Sequence, residues 1–471
     1  PWIMKRFVRR PEDMASATIG IVGGGISGVL MGMQLRRVGI DDFVVYEMNR
    51  DVGGTWLRNT YPGLHCDVPS HLYSYTFEPN PDWSTVHASR AEIQAYVRRC
   101  AEKYGLIEKI RFGSPLDIAR YDEDKGAWHV ETGDGHSASH RLLVAATGGL
   151  TEPRIPRLDG LDSFAGLRWH AGAWRHDIDL SDKRVAVIGS AASAIQVVPE
   201  VADRALELTV FQRSPNWVMP RGNRAYTAEE KTAFRDPVNQ RRLWRALYKR
   251  TLTNYRAFRR DPRAIEVLRR RGLDNIRSAI SDPALAAAVT PDYDPGCKRI
   301  VVSDDYYPAL AKPHVRLVAR GVSRFERGAV VATDGTRAQV DIVIFCTGYR
   351  LGARAGGAPA IHVIGRGGVS LREAQSARPE AFRGAMTPGF PNFFSICGIN
   401  GVAGHAPYFA SAEISTQFVA DFAVDFLRDG LKSIEARADA TRIYNETIQA
   451  ELQQMSWASG ECTNFYRDRS G

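Results

Sequence analysis

The sequence predicts an α/β fold in which two β–α–β units carry glycine-rich turns and a helical insertion interrupts the second unit. A short apolar run beginning at Thr18 breaks into glycines, and a helix-like stretch and a second apolar run follow it. The same order recurs in residues 183–215, whereas residues 221–288 are rich in Arg, Ala and Leu at helical spacing. Strands that alternate with helices predict parallel sheets covered by helices.

Length and composition describe an ordinary globular protein. The chain has 471 residues, 44% of them hydrophobic and 24% charged, which allows two or three domains. Its net charge of +9 is spread out, with a local excess in residues 241–271, so we expect no nucleic-acid partner. No apolar run reaches membrane-spanning length, and residues 1–17 read as a loose basic arm without a signal-peptide core. We expect a cytoplasmic protein; its oligomeric state stays open.

The cysteines are scattered and show no paired spacing. This pattern argues against a zinc site, a redox-active dithiol or a disulfide framework. We expect no metal, and buried thiols in a reducing compartment. The residues are Cys66, Cys100, Cys297, Cys346, Cys397 and Cys462.

The first unit carries a dinucleotide fingerprint in its required context. Gly23, Gly25 and Gly28 stand at G-x-G-x-x-G spacing between an apolar strand and a helix predicted over residues 26–38. These glycines suit, in order, a tight turn, close approach to a pyrophosphate, and packing of the helix on the strand. The next strand ends at Glu47, whose carboxylate can bond ribose hydroxyls and repels a 2′-phosphate. The unit therefore predicts FAD or NAD; the alternative is a tight turn without a ligand.

The second unit repeats the pattern with two differences. Its turn contains Gly189, Ser190 and Ser193, but Ala191 replaces the second glycine, where a methyl group would crowd a pyrophosphate. The following strand leads to Arg213, whose guanidinium suits a 2′-phosphate. We therefore predict an NADPH site here; the alternative is a degenerate unit without a nucleotide.

Three helices are predicted elsewhere from apolar spacing. One runs over residues 89–104 with Ser89 as its N-cap, after which strand-like runs follow. The others are predicted over residues 408–427 and 438–455.

The residues after the first turn resemble the class B flavin monooxygenases, which comprise the Baeyer–Villiger monooxygenases and the flavin-containing N/S-monooxygenases. The resemblance implies that the first nucleotide is FAD, that Gly54, Thr55 and Trp56 lie at the cofactor, and that Asp67 lies beside the flavin. The matching residues are Gly53-Gly54-Thr55-Trp56, Tyr61-Pro62-Gly63 and Cys66-Asp67.

A second motif resembles the Baeyer–Villiger fingerprint. Phe164, Gly166, His170 and Trp174 have the spacing F-x-G-x-x-x-H-x-x-x-W. Arg175 follows the tryptophan, where the family has Pro or Asp. For His170 we expect a linker role that positions the two domains rather than proton transfer.

Later segments resemble the same branch of the family. The resemblance implies that Arg299 reaches the flavin and that Lys298 lies near the NADP phosphate. Residues 147–148 and 347–349 resemble the points at which the family's chain crosses between domains. A glycine loop containing Asn400 is expected near the flavin edge.

The resemblance implies two Rossmann-like domains, with the helical insertion in the NADPH domain. The predicted boundaries are 1–151 and 347–471 for the two parts of the FAD domain, 152–220 and 295–346 for the two parts of the NADPH domain, and 221–294 for the insertion.

The implied activity is that of a Baeyer–Villiger monooxygenase, which uses FAD, NADPH and O₂ to insert one oxygen atom beside a ketone carbonyl through a C4a-peroxyflavin. A fixed cation favours the peroxide anion, and this is the expected role of Arg299, held by an ion pair with Asp67. Two alternatives stay open. One is an N- or S-monooxygenase on the same scaffold; the other is a flavoprotein that binds without oxygenating, which Ala191 and Arg175 suggest.

Overall fold

The computed structural model describes residues 18–350, 361–376 and 378–467, so the predicted arm, residues 1–17, lies outside the described residues. The strands are β1 Ile19–Val22, β2 Phe43–Glu47, β3 Ile110–Phe112, β4 Leu116–Asp122, β5 Ala127–Thr132, β6 Ser137–His140, β7 Leu142–Ala145, β8 Leu167–His170, β9 Arg184–Ile188, β10 Glu207–Phe211, β11 Val218–Met219, β12 Val301–Val302, β13 Val315–Val318, β14 Val322–Glu326, β15 Ala329–Ala332, β16 Arg337–Gln339, β17 Ile342–Phe345, β18 His362–Ile364 and β19 Phe393–Ser395. The α-helices are α1 Ile26–Arg37, α2 Thr55–Arg58, α3 Arg90–Lys103, α4 Ala194–Ala202, α5 Ala228–Phe234, α6 Pro237–Phe258, α7 Pro262–Ala279, α8 Pro283–Val289, α9 Tyr306–Leu310, α10 Leu371–Ala374, α11 Tyr408–Arg428 and α12 Ala438–Leu452.

The first β–α–β unit forms the centre of a parallel sheet with the strand order β19-β7-β1-β2-β3. Strands β1, β2 and β7 are buried along their whole length, as expected when both faces of a parallel sheet are covered. Helix α11 packs against α1. The predicted strand, helix and second strand of this unit are confirmed.

The second β–α–β unit forms a separate parallel sheet with the strand order β13-β10-β9-β17-β8. Helices α4 and α9 pack together, and the apolar side chains of α4 are buried in the core of this sheet. Among the described residues, the smaller sheets are β18-β4-β5-β6, β14-β15-β16 and the two-stranded β11-β12. The predicted α/β class with two Rossmann-type units is confirmed.

Helices α5 to α8 occupy the stretch for which helical spacing predicted an insertion. Their N-termini are well capped: Thr227 begins α5, and Asp236, Asp261 and Asp282 each accept a backbone N–H at a helix that starts with Pro. The other predicted helices are also present, and the Ser89 hydroxyl accepts the N–H of Glu92, which confirms it as the N-cap of α3. The domain boundaries remain a prediction.

The expectation that the cysteines form no disulfide is wrong. Cys297 and Cys462 form a disulfide across a sequence separation of 165 residues. No local spacing could reveal this pair, because the packing of the C-terminal segment beside residues 294–297 brings the two sulfurs together. Cys66, Cys100 and Cys346 are free and buried, as expected.

Candidate active site

The first glycine turn is closely packed against its own backbone. Gly23 has a φ of +107°, which a side chain rarely adopts, and a Cβ at Gly28 would lie 1.7 Å from the Gly23 carbonyl oxygen. A Cβ at Gly25 would lie 3.3 Å from the Cα of Gly54. The turn thus brings two bare backbone stretches together at the N-terminus of α1, where N–H groups favour a phosphate.

Glu47 lies beside this turn at the end of β2. It is 3% exposed, and its Oε2 accepts the N–H of Gly24 at 2.5 Å. Its Oε1 accepts the backbone N–H of Asn49 at 2.7 Å. Oε1 also accepts the side-chain N–H of Asn49, so its two lone-pair sites are used. Oε2 keeps one site for a ribose hydroxyl. The turn and its acid therefore fit FAD.

The residues after Gly54 connect the turn to α11. Thr55 begins α2, and its carbonyl oxygen accepts the N–H of Asn59 at 3.1 Å. The indole N–H of Trp56 donates to the Tyr73 hydroxyl at 3.1 Å, and the Tyr73 ring packs on Phe409 of α11 at 4.7 Å between centroids. These contacts hold the residues after Gly54 in place beside the first turn.

The second turn leaves β9 at Gly189, whose φ is +133° and whose added Cβ would lie 2.3 Å from the Cys346 carbonyl oxygen. The Ser190 hydroxyl donates to the carbonyl oxygen of Ser214 at 2.9 Å. Ser193 directly precedes α4, while Ala191 is exposed at the surface of the turn.

Two cations meet at this second turn. The Lys298 ammonium donates to the Ser214 hydroxyl at 2.6 Å and lies 4.6 Å from the centre of the Tyr293 ring. Burial and the positive charge of the nearby Arg213 lower the pKa of Lys298. Arg213 itself is exposed. A dianionic 2′-phosphate would offset the repulsion between these cations, so the residues fit NADPH.

Arg299 forms the predicted ion pair with Asp67. Its Nη2 and Nε donate to one carboxylate oxygen at 2.6 and 3.2 Å. The pair is open on one side, with 41% of the arginine and 29% of the aspartate side chain exposed. Burial alone would raise the pKa of Asp67, but the charge and hydrogen bonds of Arg299 outweigh it and lower the pKa. Asp67 in turn raises the pKa of Arg299, so the cation is permanent.

The fingerprint residues pack where β8 meets β17. Phe164 packs on Phe325, and an added Cβ at Gly166 would lie 2.4 Å from the Asp341 carbonyl oxygen. His170 is 3% exposed, and its Nδ1 accepts the N–H of Gly172 at 3.0 Å. Its ring meets that of Tyr349 at 5.3 Å.

The end of the fingerprint lies nearer the surface. Trp174 meets Trp169 edge to face at 5.9 Å between ring centroids. Arg175 is exposed and forms a local ion pair with Asp177, so the departure from the family pattern lies at the surface.

The two crossing segments run side by side, since Pro153 bridges to Tyr349 and the Arg154 N–H donates to the Gly348 carbonyl oxygen at 2.9 Å. The Tyr349 hydroxyl also donates to the Asn59 side chain, which links the second crossing to the residues after α2.

Asn400 is exposed and has a φ of +57°, so its backbone turns the glycine loop. Tyr466 was not predicted as a site residue, yet it interacts electrostatically with Arg299 and Asp67. Its signals in the sequence are an aromatic neighbour, Phe465, and its place in a stretch that resembles the family's C-terminal segment.

Known proteins resemble this chain over almost its whole length. A family model described as pyridine nucleotide-disulphide oxidoreductase matches residues 20–245. A Baeyer–Villiger monooxygenase of Streptomyces coelicolor is 39% identical over 455 residues, which cover 96% of this chain and 87% of the relative. One of Pseudomonas aeruginosa is 38% identical, covering 97% and 86%.

Solved structures of monooxygenases also resemble this chain. An oxidized steroid monooxygenase bound to NADP has a TM-score of 0.85 at 30% identity, covering 96% of this chain and 94% of its own. A closed cyclohexanone monooxygenase has a TM-score of 0.84 at 25% identity, covering 94% and 91%. On this sequence identity and coverage, the chain belongs to the Baeyer–Villiger monooxygenase family.

Proposed function

We propose that this family member binds FAD at the turn of β1 and α1 and NADPH at the turn of β9 and α4. It uses them with O₂ to convert a ketone into an ester or lactone.

One observation carries the proposal. Lys298 and Arg299 are adjacent in sequence, yet Lys298 contacts Ser214 at the second turn and Arg299 contacts Asp67, which follows the first turn. A single segment thus touches both nucleotide units and brings a permanent cation to the place between them. This is where a reaction that needs both cofactors would occur.

Each of the site residues has a separate role in the proposed reaction. FAD, when bound, would supply with NADPH the redox chemistry that activates O₂. Arg299 holds a positive charge where negative charge develops on the reacting oxygen atoms, and it cannot give up a proton at ordinary pH. Asp67 fixes its guanidinium. We assign Glu47 to the ribose of FAD, and Arg213 with Lys298 to the 2′-phosphate of NADPH.

The other predicted residues line or support these sites. We assign Gly23, Gly25, Gly28, Gly54, Thr55, Trp56 and Asn400 to the FAD side, Gly189, Ser190 and Ser193 to the NADPH side, and Phe164, Gly166, His170 and Trp174 to the junction between the units.

The test is product analysis of the purified flavoprotein with NADPH and ¹⁸O₂. Two ketones without nitrogen or sulfur are used, cyclobutanone and 4-phenylbutan-2-one, with thioanisole as the competing sulfur compound. We expect a lactone or ester that carries one ¹⁸O atom. Sulfoxide without any ester or lactone would overturn the ketone assignment. NADPH consumption without any oxygenated product would overturn the oxygenase assignment.

We also propose that the protein acts in the cytoplasm, where NADPH is regenerated. The Cys297–Cys462 disulfide is unusual for that compartment. Fractionation of cells that produce the protein tests the proposal, because NADPH-dependent lactone formation should be recovered in the cytoplasmic fraction. Recovery in the membrane or secreted fraction would contradict it.

A further inference from the structure

The C-terminal segment, residues 456–467, packs against the segment that carries Arg299. Cys462 is bonded to Cys297, and the Asp294 N–H donates to the Glu461 carboxylate at 3.3 Å. An added Cβ at Gly296 would lie 2.9 Å from the Ser456 hydroxyl, so the two segments are in close contact. The position of the C-terminal segment is therefore fixed relative to Arg299.

Tyr466 belongs to this segment and interacts electrostatically with both Arg299 and Asp67. Burial raises the pKa of its phenol, while the charge of Arg299 lowers it and that of Asp67 raises it. The net shift is upward, so the hydroxyl keeps its proton and is available as a donor at every physiological pH.

The Tyr466 ring is held on several sides. It packs on Trp457 at 4.8 Å and on Phe465 at 4.3 Å between centroids. A Cβ at Gly404 would lie 3.4 Å from the ring and 3.5 Å from the hydroxyl oxygen. Trp457 packs in turn on Phe258 of the insertion. The ring therefore stands between the glycine loop and the insertion.

The hydroxyl oxygen of Tyr466 is buried and has no hydrogen-bond partner within residues 18–350, 361–376 and 378–467. A buried hydroxyl without a partner loses its hydration at a cost of about 1–3 kcal/mol. Tyrosines in protein interiors usually find a partner for this group. Here a partner is missing at the one tyrosine of the segment that interacts electrostatically with Arg299.

We propose that the Tyr466 hydroxyl donates a hydrogen bond to the carbonyl oxygen of the bound ketone, beside the Arg299 guanidinium. This inference rests on the proposed function. It makes Tyr466 a substrate-binding residue that orients the carbonyl, while its aromatic neighbours offer an apolar surface to the body of the ketone.

The test compares Tyr466→Phe with the wild-type holoenzyme containing oxidised FAD and NADP⁺, so that no turnover occurs. The probe is cyclobutanone with ¹³C at the carbonyl, observed by isotope-edited infrared difference spectroscopy. A hydrogen bond lowers the carbonyl stretching frequency, so the band of the bound ketone should move to higher frequency in the variant. In turnover, kcat/KM for cyclobutanone should fall about tenfold, as for one lost neutral hydrogen bond.

Three measurements separate this role from others. The dissociation constant of NADP⁺ and the rate of flavin reduction should stay within twofold of wild type. Tyr444→Phe, on a helix where the ring packs on Phe382, should leave both the band and the kinetics unchanged. Incorporation of 3-fluorotyrosine at position 466 keeps the ring and makes the hydroxyl a stronger donor, so it should move the band to lower frequency.

An unchanged carbonyl band in both position-466 variants would overturn the inference. A loss of NADP⁺ affinity as large as the loss for the ketone would also overturn it, because the hydroxyl would then bind the nucleotide. A wild-type enzyme that makes no lactone would contradict the proposed function instead.

Discussion

At the scale of single residues, Arg299 is the group on which the chemistry depends most directly. Its guanidinium is fixed by two hydrogen bonds to Asp67, yet 41% of the side chain remains exposed. A fixed cation of this kind stabilises developing negative charge without reorganising during the reaction.

Replacing Arg299 with alanine should abolish most of the oxygenation and spare the reduction of the flavin. Loss of one fixed donor at a developing anion costs about 10²–10³ in rate. We expect this loss in lactone formation from cyclobutanone, with anaerobic bleaching of the flavin by NADPH changed by only a few-fold. Arg175→Ala is the control, since that arginine pairs with Asp177 at the surface. Lactone formation at the wild-type rate in Arg299→Ala would refute the assigned role.

Arg213 should decide which nicotinamide cofactor is used. In Arg213→Ala we expect KM for NADPH to rise by about 10–100-fold, because a charge-assisted hydrogen bond contributes about 1.5–3 kcal/mol. KM for NADH, which lacks the 2′-phosphate, should stay unchanged. Steady-state kinetics with both cofactors measure this. Arg204→Ala serves as the control, because Arg204 follows α4 and pairs with Glu200 of that helix. Equal effects on NADPH and NADH would contradict the assignment.

The sequence predicted these residues unequally well. The Asp67–Arg299 pair joins positions 232 residues apart, and only the family resemblance connected them before the structure did. Arg213 could be predicted from local order alone, because it follows the second strand of a β–α–β unit. Tyr466 could not, because its role depends on tertiary packing of the C-terminal segment.

At the scale of elements, the helical insertion packs on the segment between α2 and α3 through contacts between aromatic rings. The ring of His71 lies 4.3 Å from Phe234 at the end of α5 and 5.3 Å from Tyr226. His71 is 6% exposed, and its Nε2 has no hydrogen-bond partner among the described residues. Burial lowers its pKa from 6.5 to about 4.

This histidine should make the fold sensitive to acid. The folded state holds His71 neutral, so its contribution is complete above pH 6.5 and is lost as the pH falls from 6.5 towards about 4. At about 1.4 kcal/mol per pH unit, the loss reaches roughly 3 kcal/mol.

His71→Phe keeps an aromatic ring at this position and removes the titratable imidazole. We expect the variant to match wild type at pH 7 and to be more stable than wild type at pH 4.5, as measured by urea unfolding. His129→Phe, at an exposed position on β5, should leave the acid dependence as it is. If the free energies of unfolding of wild type and His71→Phe change with pH in parallel, His71 is not the cause of the acid sensitivity.

Elements with regular periodicity were the most predictable part of the fold. Helix α1 and strand β2 lie where the glycine turn predicts them, because both depend on neighbouring residues. The docking of α5 on His71 depends on contacts between residues more than 150 positions apart, which no window of sequence contains.

At the scale of the whole molecule, the Cys297–Cys462 disulfide ties the C-terminal segment to the segment that carries Arg299. The loop it closes spans 165 residues and includes β13 and β17 of the second sheet and all of α11 and α12. Cross-links over such long loops typically contribute about 2–4 kcal/mol by restricting the unfolded chain. The expectation of thiols alone failed here because the partner of Cys297 is set by the path of the chain's end.

Cys462→Ser should therefore lower the melting temperature, and dithiothreitol should bring wild type down to the same value without affecting the variant. Cys397→Ser, which removes a free thiol, should keep the response to the reductant. Alkylation of the oxidised, denatured protein should modify four thiols, and alkylation after reduction should modify six. Because the Cys297–Cys462 disulfide also positions Tyr466, its reduction should raise KM for cyclobutanone before it alters KM for NADPH. Six reactive thiols without reduction would show that the purified protein lacks the cross-link.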